Sequence, residues 1–410
     1  MNKRRIVVTG LGLVTPVGIG VKESWKNIVD GVSGIAKISK FDATNFSSQI
    51  AGEVKDFDPI NYLNPKEARR MDTFIQYGLV SGIEAIKDSG FEISEFNAHR
   101  IGVSIGSGIG GLGLIESTND TYDNGGPRKV SPFFIPGTII NMISGNLSIM
   151  FGLKGPNVSI VTACTTGTHS IGDAARMIGY GDADIMVAGG SEAAITELSV
   201  AGFASAKALS SRNDDPATAS RPWDRDRDGF VIGEGSGVMV LEEYEHAKKR
   251  GAKIYCELVG YGMSADAYHI TAPSIAGPKQ SMLNAINDAG VNVDEINYIN
   301  AHGTSTPLGD LNETNAIKET LGAHAYDCVI NSTKSMTGHL LGGAGGIESV
   351  FTVLAVHNQI SPPTINIFNQ DPECDLDYVA NEAREMTINA ALKNNFGFGG
   401  TNGSLVFKKI

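Results

Sequence analysis

A single cysteine at the join of two sequence patterns has the setting of a nucleophile. Residues 157–162 alternate β-branched and polar side chains, which predicts a short strand, and the spacing of Ile171, Ala174 and Ile178 predicts a helix. Cys164 lies between them, where a sharp strand-to-helix turn can hold a side chain out over a sheet. The N–H groups and positive dipole end of the new helix favour a thiolate, so we expect a lowered thiol pKa. The alternative is a buried cysteine that acts as a small apolar side chain.

Two histidines lie in polar stretches that a hydrophobic core would not need. His302 follows a predicted strand within a turn-rich segment, and His339 begins a glycine-rich helical stretch. Either histidine alone fits a surface position or a satisfied core position. Together with Cys164 they form a Cys/His/His set, which is a candidate catalytic site.

The sequence also predicts a positive charge and backbone N–H donors around the Cys/His/His set. Lys334 precedes His339 by five residues and would place a positive charge beside the site, with Glu348 as its counter-ion. The glycine-dense residues 394–403 allow backbone N–H groups to turn toward a ligand. One such donor with the N–H of Cys164 would form an oxyanion hole, where a donor is typically worth about 3 kcal/mol in the transition state.

Composition limits the class of protein. The chain has 410 residues, of which 41% are hydrophobic, enough for one large core or for two halves that share one. A net charge of −12 argues against nucleic acid but permits an acidic protein partner at a local basic patch. The four cysteines are far apart and form no CxxC pair, so we expect no disulfide framework, no metal site and a reducing compartment.

The N-terminal residues imitate a signal peptide, with basic residues followed by an apolar run. Gly10, Gly12 and Pro16 interrupt that run, and no small-x-small cleavage site follows. No apolar run approaches the roughly 20 residues of a spanning helix. We therefore expect a cytoplasmic protein that does not enter a membrane.

Strands and helices alternate along the chain, which predicts an α/β fold whose sheets are covered on both faces. The predicted strands are residues 5–9, 101–105, 158–161, 185–188, 237–241, 254–261, 296–300, 328–331, 392–396 and 403–407. The predicted helices are residues 65–88, 137–151, 164–179, 279–288, 311–321 and 341–357.

A weak internal repeat predicts two related halves. Residues 158–178 resemble residues 328–350, each with a strand, a polar turn that holds a reactive residue type, and a helix of small residues. The basic, polar stretch at residues 245–253 is the natural boundary. We therefore expect an N-terminal half, residues 1–250, with the cysteine, and a C-terminal half, residues 251–410, with both histidines and the lysine.

Two further motifs are interpreted as structural. GIGGLG at residues 108–113 matches a dinucleotide fingerprint, but the residues after it form no clear amphipathic helix and no acidic residue ends a second strand, so we expect no nucleotide site. Residues 221–230 alternate charges, which favours a solvated, salt-bridged loop; the alternative is a segment that orders the active-site loops.

Four motifs in this order resemble the β-ketoacyl-acyl-carrier-protein synthases of bacterial fatty acid synthesis: TACTTGTHS, AHGTSTPLGD, KSMTGHLLGGAGG and NNFGFGGTNGSL. The similarity covers essentially the whole chain, and the type II elongating branch is the most similar. It implies the thiolase fold, two related halves in five layers αβαβα, and a homodimer. The Cys/His/His set fits the elongating branch, since initiating synthases pair the cysteine with His and Asn, thiolases use a second Cys, and chain-length factors lack the cysteine.

The resemblance also implies a reaction, the decarboxylative condensation of acyl- and malonyl-carrier protein through an acyl-Cys164 intermediate. Its implied catalytic residues are Cys164, His302, His339, Lys334 and Phe398. Phe398 would be a gate and would share the oxyanion with Cys164. Implied substrate-binding residues are Thr304, Thr306, Thr271, Ile109, Phe133 and Phe203, with part of the acyl pocket supplied across the dimer, and implied structural supports are Glu348 and Asp310.

An acidic enzyme must still dock an acidic carrier protein. Lys66, Arg69 and Arg70 fall at i, i+3 and i+4 on one predicted helix face, with an ordinary solvated face as the alternative. The patch would be extended by Arg128, Lys129 and Lys207. No cofactor is expected, because the 4′-phosphopantetheine arm arrives on the carrier protein. The competing functions are a cysteine hydrolase, a non-catalytic carrier-binding module and, within the family, a polyketide ketosynthase.

Overall fold

The computed structural model describes residues 4–410 of the chain. Its strands are β1 (Ile6–Thr15), β2 (Gly18–Ile19), β3 (Ala36–Lys37), β4 (Ile50–Ala51), β5 (Ile101–Gly106), β6 (Asn157–Val158), β7 (Ile185–Glu192), β8 (Gly235–Glu243), β9 (Cys256–Ala265), β10 (Ile296–Asn300), β11 (Val329–Asn331), β12 (Ile360–Ser361), β13 (Arg384–Glu385), β14 (Ala390–Gly397) and β15 (Thr401–Lys408). Its α-helices are α1 (Val21–Val29), α2 (Pro65–Ala68), α3 (Thr73–Ser89), α4 (Leu112–Gly125), α5 (Phe134–Thr138), α6 (Met142–Phe151), α7 (Thr166–Tyr180), α8 (Glu197–Ser205), α9 (Tyr244–Lys249), α10 (Ala276–Ala289), α11 (Pro307–Leu321), α12 (Lys334–Thr337) and α13 (Ala344–Asn358).

The main sheet repeats one strand arrangement in two parts of the chain. The first part has the order β6-β5-β7-β8-β1, and the second has the order β11-β10-β14-β15-β9. In the first part β5 is parallel to β6 and β7, while β8 is antiparallel to β7 and β1. In the second part β10 is parallel to β11 and β14, while β15 is antiparallel to β14 and β9. The parts join where β1 pairs with β9.

The elements stack in five layers. Helices α7 and α13 contact each other and strands of both parts, so they form the central layer. Helices α3 and α6 cover the outer face of the first part, and α10, with α11 packed on it, covers the outer face of the second. Three hydrophobic clusters lie between the layers: the central cluster around α7 and α13 holds Ile171 and Ile347, one outer cluster holds Phe74 and Ile143, and the other outer cluster holds Met282.

Glycines permit the close approach of the two central helices. A Cβ added at Gly167 of α7 would lie 2.4 Å from the backbone nitrogen of Gly346 of α13. A Cβ at Gly346 would lie 2.3 Å from the carbonyl oxygen of Gly237 in β8. The glycine-rich sequence of residues 342–346 therefore lets α13 pack directly against both α7 and the sheet.

Several predicted elements are shorter or divided. The predicted helix at residues 65–88 is two helices, since α2 ends at Ala68 and the Asp72 side chain caps the start of α3 by accepting from the N–H of Phe74. The predicted helix at residues 137–151 is likewise divided into α5 and α6. The predicted strand at 158–161 pairs only as far as Val158. The spacing of hydrophobic residues continues across these breaks and so does not reveal them. A helix ends where its capping residues lie, and a strand ends where its hydrogen-bonded neighbour ends.

A helix, α4, follows the glycine motif. None of its residues is buried, which explains why no clear amphipathic pattern marks it in the sequence. The backbone N–H groups of Gly108 and Ile109 donate to the buried Glu192 carboxylate at 2.8 and 3.2 Å. The Glu192 carboxylate thus accepts the hydrogen bonds of the backbone N–H groups that a bound phosphate would need.

Membrane-spanning helices are absent from residues 4–410, where no helix combines sufficient length with sufficient apolarity. The same residues contain no group of three or more His, Cys, Asp or Glu side chains arranged to hold a metal ion.

Candidate active site

One cavity of about 560 Å³ lies where the two parts of the chain meet. Cys164 enters it just before α7, His302 from the loop after β10, His339 from the segment between α12 and α13, and Phe398 from the turn after β14. The other predicted site residues that line it are Thr304, Thr306, Thr271, Ile109 and Phe203. The repeated topology thus brings side chains from distant parts of the sequence to one place.

Cys164 lies in a tight turn at the start of α7. A 3-10 turn, Ala163–Thr165, precedes the helix, and Ala163 has φ 49°, a left-handed conformation that is uncommon for a residue with a Cβ. Burial raises the pKa of the Cys164 thiol to about 12, and the positive charge of Lys334 and the N–H of Phe398 oppose this rise without cancelling it. The expected lowering of the thiol pKa is therefore wrong, because desolvation disfavours the buried thiolate more than these two groups favour it.

The turn after β14 lies beside this sulfur. The N–H of Phe398 donates a hydrogen bond to the Cys164 sulfur. Gly397 is so close to Cys164 that a Cβ added to it would lie 3.1 Å from the Cys164 nitrogen. The Phe398 ring is 38% exposed, and its centroid is 6.3 Å from that of Phe203. The turn after β14 therefore presents a backbone donor and an aromatic side chain at the cavity.

The two histidine rings are neighbours and are neutral. The ring centroids of His302 and His339 are 5.3 Å apart, with the planes nearly perpendicular at 86°. Burial, with the charge of Lys334, lowers the pKa of His339 to about 3. Burial, with the charges of Lys334, His339 and Lys393, holds the pKa of His302 well below its usual range. Neither ring carries a charge near neutral pH, so both can act as hydrogen-bond donors through one nitrogen.

A buried cluster of charges lies behind His302. Lys334 Nζ donates to the backbone oxygen of His302 at 2.6 Å and pairs with Glu348. Lys393 Nζ lies 2.7 Å from the other oxygen of Glu348. Burial alone would raise the pKa of Glu348, but the two ammonium groups outweigh it and lower that pKa. Burial lowers the pKa of Lys393 to about 8. The cluster therefore has two cations and one anion at neutral pH.

Two carboxylates of α11 shape the loop that carries His302. Glu313 accepts from the backbone N–H groups of His302 and Gly303 at 2.8 and 2.7 Å. Asp310 accepts from the backbone N–H groups of Ser305 and Trp223 at 3.1 and 3.0 Å. Helix α11 thus anchors the loop at both ends through Glu313 and Asp310.

The interpretation of residues 221–230 as a solvated loop is wrong. Trp223, Asp224 and Arg227 are buried, and Arg227 pairs with Asp310. The guanidinium of Arg227 also donates to the backbone oxygens of Thr306 and Pro307. The buried charges of this segment are satisfied inside the protein, where Arg227 orders the loop after β10, while Arg225, Asp226 and Asp228 are exposed.

Three functional positions were missed in the sequence. Lys393 and Asn395 lie on β14 behind His302, and Glu313 lies on α11. The signal for the first two was present, since Lys393, Asn394 and Asn395 are consecutive polar residues in a predicted buried strand. Glu313 had no signal, because an acidic residue on a helix is ordinarily exposed.

The basic residues predicted for docking lie on the surface, but not on one helical face. Helix α2 has only four residues and ends at Ala68, so Arg69 and Arg70 lie beyond it. Lys66 and Arg69 are exposed, and the guanidinium of Arg70 lies 4.0 Å from the centroid of the Phe133 ring. Arg128, Lys129 and Lys207 are exposed. Phe133 is absent from the residues that line the cavity of this chain.

Comparison with family models assigns both parts of the chain. Residues 3–247 match the β-ketoacyl synthase N-terminal domain, and residues 255–368 match the β-ketoacyl synthase C-terminal domain. The chain therefore belongs to the β-ketoacyl synthase family, and its fold is the thiolase-like ketosynthase fold.

Curated relatives match over the full length of the chain. The chain is 60% identical to 3-oxoacyl-[acyl-carrier-protein] synthase 2 of Vibrio harveyi, covering 100% of both chains. It is 54% identical to the protein of that name in Synechocystis sp., covering 100% of this chain and 99% of the relative. For the Staphylococcus aureus (strain COL) protein of that name, the identity is 51% with the same coverage.

Solved structures share the fold. One neighbour, a type II polyketide ketosynthase in complex with its acyl-carrier protein, has a TM-score of 0.93 and 37% identity, covering 100% of both chains. Another, a β-ketoacyl synthase from Burkholderia phymatum, has a TM-score of 0.92 and 34% identity, covering 99% of this chain and 100% of the other.

Proposed function

We propose that this chain condenses acyl-acyl-carrier protein with malonyl-acyl-carrier protein to give 3-oxoacyl-acyl-carrier protein, carbon dioxide and free carrier protein, the elongation step of bacterial fatty acid biosynthesis. The single observation that carries the proposal is the cavity lined by Cys164 and two neutral, perpendicular imidazoles, His302 and His339. Relatives at 51–60% identity named 3-oxoacyl-[acyl-carrier-protein] synthase 2 support it. They favour it over polyketide synthesis, since the polyketide neighbour is 37% identical.

The first step is transfer of the acyl group to Cys164. The sulfur attacks the thioester carbonyl, and the backbone N–H groups of Cys164 and Phe398 hold the tetrahedral oxyanion. The carbon–sulfur bond to the pantetheine arm then breaks. The proton of the Cys164 thiol ends on the departing pantetheine sulfur, so this step needs no net base even though burial raises the thiol pKa to about 12.

The second step generates the carbon nucleophile. His302 and His339 donate hydrogen bonds to the thioester carbonyl oxygen of the malonyl group. The bond to the carboxylate breaks, its electron pair passes into the enolate, and carbon dioxide leaves. Neutral imidazoles suit this role because they stabilise the oxygen through a hydrogen bond without giving up a proton. The low pKa of both rings keeps them neutral.

The third step forms the new carbon–carbon bond. The enolate carbon attacks the carbonyl of acyl-Cys164, and the sulfur leaves as the thioester bond breaks. The same backbone N–H groups hold the second oxyanion. One proton from solvent restores the thiol, so each turnover consumes one proton overall.

The pantetheine arm and the carrier protein would each bind a different part of the chain. We assign the pantetheine arm to Thr304, Thr306 and Thr271, which line the cavity, so that no resident cofactor is required. The Oγ1 atoms of Thr304 and Thr306 lie 2.9 Å apart, which presents paired hydroxyl groups to an amide chain. The proposed carrier-docking patch consists of the half-buried Arg70 and the exposed Lys66, Arg69, Arg128, Lys129 and Lys207.

A second copy of the chain is the proposed partner of the apolar surface beside β6. Strand β6 is one of the two terminal strands of the main sheet. Exposed apolar side chains nearby include Phe133, Ile135 and Ile149, which are 37%, 59% and 78% exposed. Such a patch on a protein that works in the cytoplasm favours a homodimer, in which Phe133 would reach the partner's acyl pocket. Light scattering that gave the mass of a single 43.2 kDa chain would contradict this.

The intact mass of the protein after mixing with acyl-carrier protein tests the proposed reaction. Wild type should gain a stable acyl mass, and Cys164→Ala should not. Addition of malonyl-carrier protein should then discharge the adduct as a 3-oxoacyl product two carbons longer. An adduct that decays in water without malonyl-carrier protein would support a cysteine hydrolase instead. No adduct with any chain length would support a carrier-binding module.

A further inference from the structure

One amide side chain joins the buried charge cluster to the histidine pair. Asn395 is fully buried on β14. Its Nδ2 lies 2.9 Å from Glu348 Oε2 and 3.2 Å from His302 Nδ1, and its Oδ1 lies 2.7 Å from Lys393 Nζ and 2.5 Å from Thr168 Oγ1. All four polar contacts of this amide are therefore made inside the protein.

The charges around the amide fix which end is which. An ammonium group only donates, so the atom of Asn395 that faces Lys393 must be the oxygen. An ionised carboxylate only accepts, so the atom that faces Glu348 must be the nitrogen. Glu348 is ionised because two ammonium groups pair with it. A flipped amide would place two donors together at Lys393 and two acceptors together at Glu348. The assignment of the amide oxygen and nitrogen therefore follows from these two hydrogen-bond partners.

The orientation of the amide decides the tautomer of His302. Because Asn395 Nδ2 is a donor, His302 Nδ1 accepts and holds a lone pair. A neutral imidazole with a bare Nδ1 carries its proton on Nε2. Nδ1 faces the buried amide while the ring lines the cavity, so Nε2 lies on the edge left for the substrate.

The geometry points to Asn395 as a positioning residue that, held by Lys393 and Glu348, fixes His302 as an Nε2–H donor toward the cavity. This inference rests on the proposed function, since the donor is the group that would bond the malonyl thioester oxygen. The proton stays on Nε2 while the carbon–carboxylate bond breaks and its electron pair passes to the enolate.

The same assignment bears on the hydrolase alternative. A Cys–His hydrolase needs an imidazole nitrogen with a free lone pair beside the sulfur, oriented by an Asp or Asn that accepts from the other ring nitrogen. Here Asn395 donates to His302 instead of accepting. His302 therefore has no lone pair to offer to the thiol of Cys164.

Nuclear magnetic resonance of the substrate-free wild type tests the tautomer directly. With histidines labelled with ¹⁵N, long-range proton–nitrogen correlation separates protonated from bare ring nitrogens. The chain has eight histidines, so His302 can be assigned by its loss in His302→Gln. We expect a protonated Nε2 and a bare Nδ1. A protonated Nδ1 in the wild type would overturn the inference about Asn395. It would not overturn the proposed condensation reaction, which the product assay tests separately.

The variant Asn395→Asp tests the role of the side chain. A carboxyl oxygen in place of Nδ2 accepts a proton from the ring, so the proton of His302 should move to Nδ1. Release of carbon dioxide from malonyl-carrier protein should fall about 10²-fold, the usual cost of one lost oxyanion donor. Acylation of Cys164 should stay near the wild-type rate, because His302 takes no part in that step.

Asn394→Asp is the matched control. Its side chain bonds Ser404 and Met282 instead of the histidine, so it measures the cost of a buried carboxylate alone and should leave the His302 tautomer in place. Equal losses of acylation and decarboxylation in Asn395→Asp would mean that Asn395 is merely structural. If Asn395→Asp does not fold, the wild-type spectrum still decides the inference.

Discussion

The ammonium group of Lys334 donates to the backbone carbonyl oxygen of His302 at 2.6 Å, from a position that is only 1% exposed. One cation therefore acts on three parts of the site. It anchors the loop of His302, it lowers the pKa of His302, and it opposes the burial that raises the pKa of Cys164. A charge beside the site was predicted from the sequence, but its bond to the histidine backbone was not.

The variant Lys334→Met should lose both decarboxylation and stability. Loss of the anchor lets the His302 loop move, and displacement of about 1 Å can cost about 10²-fold in rate. Removal of one partner of a buried ion pair costs about 3–5 kcal/mol, and the lower end applies here because Lys393 still pairs with Glu348. Carbon dioxide release and urea unfolding measure the two effects.

Lys318→Met is the control for that variant. Lys318 pairs with Asp375 at the surface, and such pairs contribute about 0–1 kcal/mol. It should unfold near the wild-type urea concentration and release carbon dioxide at the wild-type rate. A Lys334→Met protein that kept wild-type decarboxylation would show that Lys334 does not position His302 for catalysis.

Alkylation of Cys164 should depend steeply on pH. Only the thiolate reacts with iodoacetamide, and burial raises the pKa of the thiol to about 12. The alkylation rate should therefore rise about tenfold for each pH unit between pH 7 and 10. Mass spectrometry of the modified peptide, with Cys164→Ala as the control, measures it. A plateau below pH 8 would show that the helix terminus dominates after all, as the sequence pattern had suggested.

The sequence was sufficient for the fold class and for most of the predicted site residues, which line the cavity, although Phe133 does not. The motifs identify Cys164, His302 and His339, and alternating residue patterns identify most of the strands. Both signals depend on the local spacing of residues, which the sequence shows directly. The thiol pKa could not be predicted, since it depends on how much of the chain covers Cys164. The burial of Arg227 and Lys393 could not be predicted either. A charged residue is expected to be exposed unless its partner is known, and the partners Asp310 and Glu348 are distant in sequence.

Acid should destabilise the protein partly through His339. Its pKa is about 3 in the folded protein and near 6.5 when unfolded. Between these values only the unfolded chain binds the proton, so stability falls as pH falls from about 6.5 to 3. From pH 7.5 to pH 5 the loss from this residue should be about 2 kcal/mol. Urea unfolding at both pH values should show a loss smaller by that amount in His339→Gln.

His99→Gln is the control for the acid experiment. His99 is exposed, so its replacement should leave the acid-induced loss as in the wild type. An equal loss in wild type and His339→Gln would mean that His339 is protonated in the folded protein at pH 5.

Charge reversal in the docking patch should affect only carrier-bound substrates. Lys66→Glu with Arg69→Glu should raise KM for acyl-carrier protein about tenfold, because an acidic partner then meets two repelling charges at the rim of its surface. A small acyl thioester should react as with the wild type. Lys22→Glu, on the exposed face of α1, is the control and should change neither KM. Equal losses on both substrates would contradict the docking role.

The contact between α7 and α13 should not tolerate a single methyl group. A Cβ at Gly167 would lie 2.4 Å from the Gly346 nitrogen, and neither helix backbone can yield without moving Cys164. Gly167→Ala should therefore cost about 3 kcal/mol or more in unfolding free energy and slow acylation of Cys164. Gly202→Ala, within α8 and with nothing within 4 Å of the added Cβ, should instead stabilise the protein by up to about 1 kcal/mol. A Gly167→Ala protein with wild-type stability and acylation would mean that the two helices have room to separate, and that the glycines of residues 342–346 serve another purpose.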